Sequence, residues 1–326
     1  MPGGLLAVHA HPDDETLSSG GALASWAAAG LPATVVTCTR GERGEVIGPD
    51  LQYLLHDDDG FAAHRTGELR AAVAALGPGV TQVFLDELDS GILSPASPAP
   101  ASPVPASSTL SRYVDSGMSW LAPGQAGPDP DSGPGAFANA DLEIAALRLA
   151  VLVQTSRPDF VLSYDRDGGY GHPDHVQARA VAQRAVELVP GTRLLEIVRP
   201  ARAHERMFAE LGAELSPEWL QARNLHLADP AAAPAMVRAA VGEKMLVVNT
   251  IPVAGRVLKA LRAHATQVQH VHELPGTHWV IGSAALSNQE VNPIPAQEYL
   301  QPVIGDFAGV SGEILPPNVA WGDGNF

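Results

Sequence analysis

Two clusters of histidine and aspartate residues could perform chemistry in this sequence. The first cluster is His9–Glu15 (HAHPDDE), which crowds two imidazoles and three consecutive carboxylates into a short segment. Carboxylates packed this closely repel one another unless a positive charge neutralises them, and a divalent metal ion does this best. Taken alone, the cluster also fits a solvated acidic turn at the start of a helix.

The second cluster is Tyr164–His175 (YDRDGGYGHPDH). Its glycines allow tight turns and Pro173 suits the first turn of a helix, which places His172 at the helix start and His175 one turn inside. On its own this segment also fits a simple helix cap. Joined, the two clusters provide two imidazoles and one carboxylate with a position left for water, the ligand set of a catalytic zinc or ferrous iron site. The remaining acids and imidazole are then available for proton transfer.

Strand and helix signals alternate over the first 200 residues and would position both clusters. Short apolar or β-branched segments predict strands, and amphipathic segments between them predict helices. The predicted strands are 5–10, 34–39, 80–86, 159–165 and 193–198, and the predicted helices are 18–29, 60–76, 141–155 and 173–189. This alternation predicts an α/β fold with a Rossmann-like, mostly parallel sheet and helices on both faces. The clusters follow the first and fourth predicted strands, and ligands of such sheets bind at the carboxyl ends of the strands.

We predict a Rossmann-like catalytic domain over residues 1–200 and a smaller C-terminal α+β region over residues 201–326 that closes the substrate pocket. In the C-terminal region, helical stretches are predicted at 201–211, 217–223, 231–241 and 255–269, followed by short strands around 278–284. Two segments of the first domain are predicted to be loops, the Pro/Ala/Ser tract 94–108 and the Gly/Pro-rich stretch 122–136. Both lie between the third and fourth strands, where insertions need not disturb the sheet.

The composition narrows the class of protein. A formal net charge of −16 over 326 residues argues against binding to the phosphate backbone of nucleic acids. No apolar stretch reaches the roughly 20 residues of a membrane span, no secretory signal pattern is present, and Cys38 is the one cysteine. We therefore expect a cytoplasmic protein with no membrane partner, and leave homo-oligomerisation open. No G-x-G-x-x-G follows the first strand and no G-x-S-x-G occurs, which disfavours nucleotide binding and serine hydrolysis.

The sequence resembles the PIG-L/LmbE-like zinc-dependent N-acetylglucosamine deacetylases. The defining motifs of that family are His-Pro-Asp-Asp near the N-terminus and His-Pro-Asp-His further along, which correspond here to His11–Asp14 and His172–His175. The shared segments are 9–21, 35–48, 65–77, 114–118, 168–176, 263–268 and 285–288. The resemblance is strongest to the members that act in mycothiol biosynthesis, which hydrolyse the acetamide of an N-acetylglucosaminyl-inositol. An amino-sugar glycoside is therefore the expected substrate.

The resemblance implies the residues of the metal site. His11, Asp14 and His175 would bind one zinc ion per chain, with ferrous iron as the alternative, because His and carboxylate ligands accept both metals. Asp13 would be the general base that activates the attacking water. Protonation of the leaving amine by Asp13 or by His172 is left open.

The resemblance also implies residues that support the reaction and the substrate. Tyr170, and His172 if it is protonated, would stabilise the oxyanion. Asp174 would orient His172 and favour its charged form. Arg65 and Asp115 match positions that contact hydroxyls of the sugar–inositol substrate, although a surface charge and a turn residue would also explain them.

Two positions separate this sequence from sister enzymes that cleave mycothiol S-conjugates, which typically carry Lys and Pro where it has Ser18 and Gly171. Ser18 is therefore predicted to be a substrate-binding position of a deacetylase. A mycothiol S-conjugate amidase, a deacetylase of a bacillithiol-type precursor, and a metal-dependent carbohydrate-binding protein without catalysis remain the alternatives. His264, in the shared segment 263–268, is left open between the active site and core packing.

Overall fold

The computed structural model describes residues 3–88, 112–232, 234, 236–238 and 244–322. Its helices are α1 (Asp14–Ala28), α2 (Asp58–Leu76), α3 (Leu142–Ser156), α4 (Gly168–Gly171), α5 (Pro173–Leu188), α6 (Ala201–Glu214), α7 (Pro217–Gln221) and α8 (Ala254–Ala263). Its strands are β1 (Leu5–His9), β2 (Ala33–Thr37), β3 (Val80–Phe84), β4 (Met118–Ala122), β5 (Gln125–Pro128), β6 (Phe160–Ser163), β7 (Leu194–Pro200), β8 (His226–Leu227), β9 (Val237–Arg238), β10 (Met245–Asn249), β11 (Gln269–Glu273), β12 (Val280–Ala285), β13 (Glu290–Pro295), β14 (Gln297–Ile304) and β15 (Val319–Gly322). The tract 94–108, predicted to be a loop, lies outside the described residues.

Nine of the described strands form one sheet, in the order β15-β10-β14-β7-β6-β1-β2-β3 with β9 beside β7. The strands from β7 to β3 run parallel to one another. The strands β14, β10 and β15 extend this sheet in antiparallel pairings. Every residue of β1 and β6 is buried, as expected of parallel strands covered on both faces.

The order of the strands reverses between β1 and β6. From β1 the chain proceeds outward through β2 and β3 on one side, and from β6 it proceeds to β7 on the other. The crevice at such a reversal, beyond the carboxyl ends of the strands, is where ligands bind in open α/β sheets. The two clusters follow β1 and β6 directly, so the topology brings them together.

Helices cover both faces of this sheet. On one face α1, α2 and α8 pack together, with Trp26, Leu69 and Leu258 in the apolar core. On the other face α3 packs against α5, with Leu149 and Val181 buried. Since α8 comes from beyond residue 200, the later part of the chain contributes to the same core as α1.

The predicted α/β fold with a mostly parallel sheet is confirmed. Each strand and helix predicted in the first 200 residues is present, with bounds that differ by at most four residues. The predicted domain boundary near residue 200 stays a prediction, and β10, β14 and β15 join the main sheet from beyond it. A second sheet of the C-terminal region has the order β11-β12-β13-β8. Among the described residues, no helix has the length and apolar character needed to cross a membrane.

Two predictions of local structure were wrong. Residues 125–128, predicted to be loop, form β5, which pairs with β4 around Gly124. The positive φ of +73° at Gly124 suits such a tight turn. Where it is described, the stretch 231–241, predicted to be helical, contains β9 paired with β7. At Val237 and Arg238, backbone pairing with β7 therefore outweighs local helix propensity.

Candidate active site

The carboxyl ends of β1 and β6 bring three imidazoles into contact. His11 follows β1, while His172 is the N-cap of α5, the second helix after β6, and His175 lies in the first turn of that helix. The ring centroids lie 5.3 Å apart for His11 and His175, 4.6 Å for His11 and His172, and 5.0 Å for His172 and His175. All three rings are buried. The two clusters of the sequence therefore form one site.

Asp14 lies between two of these imidazoles. Its Oδ2 is 3.2 Å from His11 Nδ1 and 3.3 Å from His175 Nε2. The same oxygen accepts a hydrogen bond from the backbone N–H of His11 at 2.9 Å. One carboxylate oxygen thus faces a ring nitrogen of each of the other two predicted metal ligands.

This group fits a divalent metal ion on chemical grounds. The Nε2 atom of His175 is buried and makes no well-aligned hydrogen bond to the described residues, although Asp14 Oδ2 lies 3.3 Å away, and this is a costly state for a polar atom. Its Nδ1 lies 3.2 Å from the carbonyl oxygen of Gly168, the kind of contact that orients a metal-binding imidazole. Nitrogen and carboxylate donors suit zinc and ferrous iron. Among the described residues, two groups of three offer ligand atoms that all lie within 4.8 Å of one another, namely His11, His172 and His175, and His11, Asp115 and Asp174, and neither group includes Asp14.

The far side of the His11 ring faces two more carboxylates. Its Nε2 is 3.1 Å from Asp174 Oδ2 and 3.6 Å from Asp115 Oδ1. Ser116 holds Asp174 in turn, because its N–H donates to Oδ2 at 2.9 Å and its hydroxyl donates to Oδ1. A carboxylate on the outer nitrogen fixes the tautomer and orientation of a histidine ligand. The Asp174 side chain therefore supports His11, whereas its predicted contact with His172 is made by the backbone N–H of Asp174, which donates to Nδ1 of that ring at 3.1 Å.

Asp13, which directly precedes the predicted metal ligand Asp14, lies beside Arg65. The Arg65 guanidinium is 3.4 Å from Asp13 Oδ1 and donates to the carbonyl oxygens of Pro12 and, at 2.6 Å, Gly41. Arg65 is only 3% exposed, and Asp115 is 4% exposed. Both side chains are thus engaged inside the protein, and their contact with substrate hydroxyls stays a prediction.

Burial and charge move the pKa values of the site in different directions. Burial raises the pKa of Asp13 from 3.8 to about 6. Burial would also raise the pKa of Asp14, but the neighbouring imidazoles of His175 and His11 lower it well below its usual value. The pKa of His11 is raised well above its usual value because the surrounding carboxylates, Asp115 first, outweigh the effect of burial. These shifts favour a charged His11 ring and an ionised Asp14, whereas Asp13 holds a proton more readily than a solvated aspartate.

His172 and Tyr170 complete the group. Burial, together with His11 and His175, lowers the pKa of His172 to about 2, which favours the neutral ring, and the part that His172 takes in the reaction stays a prediction. Since Nδ1 of His172 accepts a hydrogen bond from the backbone, Nε2 carries the proton. The Tyr170 ring lies 6.0 Å from that of His172 and 5.0 Å from that of His175. Burial raises the pKa of Tyr170, so its hydroxyl remains protonated and can donate a hydrogen bond.

Three further residues, Ser18, Ser116 and Glu15, lie near the predicted site residues in the sequence, and His264 contacts Glu15 in the structure. Ser18 is half-buried on α1, one turn after Asp14, and its role stays a prediction. Sequence reasoning did not single out Ser116, although it lies within the shared segment 114–118. It also missed the contact between Glu15 and His264, whose side chains meet at 2.8 Å.

Comparison with known proteins identifies the family. Residues 6–186, more than half of the chain, match the PIG-L family, described as GlcNAc-PI de-N-acetylase. The chain belongs to the PIG-L family. The resemblance inferred from the two motifs is therefore confirmed, and the motifs of this PIG-L protein lie at the ends of the adjacent strands β1 and β6.

Relatives of this PIG-L protein extend the similarity over nearly the whole chain. Proteins from Kineococcus radiotolerans, Saccharopolyspora erythraea and Streptomyces avermitilis are 36%, 36% and 37% identical to it. The matches cover 95%, 96% and 93% of this chain and 80%, 94% and 92% of the relatives, each named a 1D-myo-inositol 2-acetamido-2-deoxy-alpha-D-glucopyranoside deacetylase. Among solved structures, the hydratase GalB from Pseudomonas putida KT2440 covers 94% of this chain and 98% of its own at 17% identity and a TM-score of 0.48, a similarity too low to bear on function.

Proposed function

We propose that this PIG-L protein is a metal-dependent deacetylase that hydrolyses the acetamide of 1D-myo-inositol 2-acetamido-2-deoxy-alpha-D-glucopyranoside to the free amine and acetate. The identity to deacetylases of that name over most of the chain supports this substrate. The observation that carries the proposal is the position of Asp14 Oδ2, 3.2 Å from His11 Nδ1 and 3.3 Å from His175 Nε2. The acidic composition and the single cysteine fit the cytoplasmic location that we also propose.

His11, Asp14 and His175 would hold the metal ion, and zinc is the proposed ion because two imidazoles and a carboxylate form a catalytic zinc set. When bound, such an ion acts as a Lewis acid that makes water more acidic and polarises an amide carbonyl. Asp174 keeps the His11 ring in orientation through the contact of 3.1 Å at Nε2.

Asp13 is the proposed general base. Arg65 lies 3.4 Å from its Oδ1, so we assign proton transfer to Oδ2, which takes a proton from the attacking water. The same carboxyl group then returns that proton to the nitrogen of the leaving amine. The neutral His172 donates from Nε2, and Tyr170 from its hydroxyl, to the carbonyl oxygen as negative charge develops there.

The predicted substrate contacts enter the proposal in two ways. Ser18, which is half-buried on α1, would contact the sugar. Because Arg65 and Asp115 are almost fully buried, we propose that they act on the substrate indirectly. Arg65 supports the turn at Pro12 and Asp13, and Asp115 Oδ1 accepts a hydrogen bond from the N–H of Gly117 at 2.8 Å.

The proposal is tested by incubating the zinc-loaded protein with a panel of amides and measuring free amine and acetate. The panel contains the inositol glycoside, N-acetylglucosamine, a mycothiol S-conjugate and an N-acetylated bacillithiol-type precursor. We expect the inositol glycoside to react fastest. Asp13→Asn should abolish turnover while the metal content stays at about one ion per chain, and His175→Ala should lose the metal.

The exposed Asp306 provides a matched control, because its carbonyl oxygen accepts from Arg193 at the amino end of β7, so that Asp306→Asn makes the same chemical change at the opposite edge of the sheet from the site. Preferred turnover of the S-conjugate or of the bacillithiol-type precursor would replace the proposed substrate. Binding of the inositol glycoside without release of acetate would indicate a carbohydrate-binding protein. Wild-type turnover by Asp13→Asn would refute the assignment of the base.

A further inference from the structure

A buried pair of side chains, Glu15 and His264, joins the later part of the chain to the candidate active site. Glu15 Oε1 is 2.8 Å from His264 Nε2, and both residues are fully buried. Glu15 lies in the first turn of α1, and His264 directly follows α8. The backbone around His264 is fixed, because its N–H donates to Leu261 O and its carbonyl oxygen accepts from the N–H of Val268 at 2.8 Å. The imidazole that contacts Glu15 therefore belongs to a hydrogen-bonded turn.

The same carboxylate holds the backbone of Asp13. Glu15 Oε2 accepts a hydrogen bond from the Asp13 N–H at 2.9 Å. Asp13 has a φ of +120° and a ψ of −34°, a region that residues other than glycine rarely adopt. Such strain costs about 1–3 kcal/mol and persists only where the surroundings impose it. The contact with Glu15 is one of the interactions that impose it here.

The Asp13 side chain is not used to cap α1. Aspartate at the start of a helix usually accepts hydrogen bonds from the first N–H groups, but the Asp13 carboxylate makes no such bond. Glu15 instead bonds the N–H of Asp13, much as the glutamate of a capping box does. This arrangement leaves the Asp13 carboxylate available to the site.

We propose that Glu15 and His264 are positioning residues for Asp13. His264 anchors the Glu15 carboxylate, which holds the N–H of Asp13 and thereby aims its carboxylate. This inference rests on the proposed function, in which Asp13 is the general base. The Thr16 hydroxyl also donates to Glu15 Oε1, but it belongs to the same helical turn, so His264 is the partner that fixes this carboxylate from a distant element. Without His264 the Glu15 carboxylate can rotate away from the Asp13 N–H, and displacement of a catalytic group by about 1 Å costs roughly 10²-fold in rate.

The test compares His264→Ala, His264→Gln and Glu15→Gln in the zinc-loaded full-length chain with the inositol glycoside. We expect His264→Ala to lower kcat about 10²-fold while KM changes less than about threefold and metal content is unchanged. His264→Gln should recover at least about tenfold, because its amide nitrogen can donate to Glu15 from the position of Nε2. Glu15→Gln preserves the shape but accepts through only one oxygen, so its kcat should fall as well.

His204 provides the matched control, because it is also buried and hydrogen-bonded, to Pro230 O at 3.0 Å, and lies on α6. His204→Ala should keep the wild-type kcat. A crystal structure of His264→Ala should show the φ of Asp13 relaxed to a negative value, a readout that does not depend on activity. If His264→Ala does not fold, the two glutamine variants carry the test.

Wild-type kcat in Glu15→Gln and in the His264 variants would overturn the inference, as would an equal loss of kcat in His204→Ala. An Asp13 φ that remains positive in the crystal structure of His264→Ala would also overturn it. If the wild type itself releases no acetate, the proposed function fails, and the conformation of Asp13 in that crystal structure still decides whether the pair positions its backbone.

Discussion

The buried carboxylate of Glu298 provides a quantitative test of how the C-terminal strands support α1. Glu298 lies on β14, is 7% exposed, and accepts hydrogen bonds from the N–H groups of Gly21 at 2.6 Å and Ala22 at 2.8 Å. These N–H groups are available because α1 departs from helical geometry at Ser19, with φ −144° and ψ 18°. Burial raises the pKa of Glu298 from 4.5 to about 7, although both hydrogen bonds lower it.

The direction of this shift determines its effect on stability. Because the pKa is higher in the folded state than in the unfolded state, the folded protein binds the proton more tightly. The contribution of Glu298 to stability is therefore fully present below about pH 4.5 and is lost as the pH rises through about 7. The loss amounts to about 3 kcal/mol in the free energy of unfolding. Glu298→Gln cannot ionise and should not show this loss.

Urea unfolding of both proteins, followed by circular dichroism between about pH 4.5 and about pH 8, measures the effect. A chelator keeps metal occupancy constant, and subtraction of the two curves cancels the other titrating groups. The free energy of unfolding of the variant minus that of the wild type should rise by about 3 kcal/mol across this range. Ser25→Ala is the control, because the Ser25 hydroxyl donates to Gly21 O at 2.6 Å without ionising, and its curve should parallel the wild type. Parallel curves for Glu298→Gln and the wild type would refute the reasoning.

Two further predictions concern the site itself. Ser116→Ala removes the hydroxyl that donates to Asp174, so zinc affinity should fall about 10- to 100-fold in a competition titration with a chelator, and unchanged affinity would contradict the support of His11 through Asp174. Gly171→Ala should lower the free energy of unfolding by about 1–3 kcal/mol in urea, because Gly171 has a φ of +92° and an added Cβ would lie 2.8 Å from Ala126 O. Stability equal to the wild type would show that the turn after Tyr170 tolerates a side chain.

The four substitutions test different parts of the protein, from the proposed proton transfer to the folded scaffold. Asp13→Asn tests the group that moves the proton, and His264→Ala tests the support of its backbone. Ser116→Ala tests the support that Asp174 gives to the His11 ring. Glu298→Gln tests only the folded scaffold, so its outcome is independent of the proposed substrate.

The amino-acid sequence by itself determined the chemistry and the elements that carry it. The motifs His11–Asp14 and His172–His175 are contiguous, so their spacing predicts that each forms one turn after a strand. The strands and helices of the first 200 residues were predictable for the same reason, since apolar periodicity is a property of neighbouring residues. The family resemblance came from those same segments, and the PIG-L match confirms it.

The tertiary structure decided which groups these residues meet. The sequence order pairs Asp174 with His172, but the fold aims its carboxylate at His11, from a different strand. Glu15 meets His264 and Gly21 meets Glu298 only because α8 and β14 return to α1 from beyond residue 200. A carboxylate has the same local pattern whether it binds an imidazole, a backbone N–H or water. Its partner therefore follows from the packing of distant elements, which no local pattern encodes.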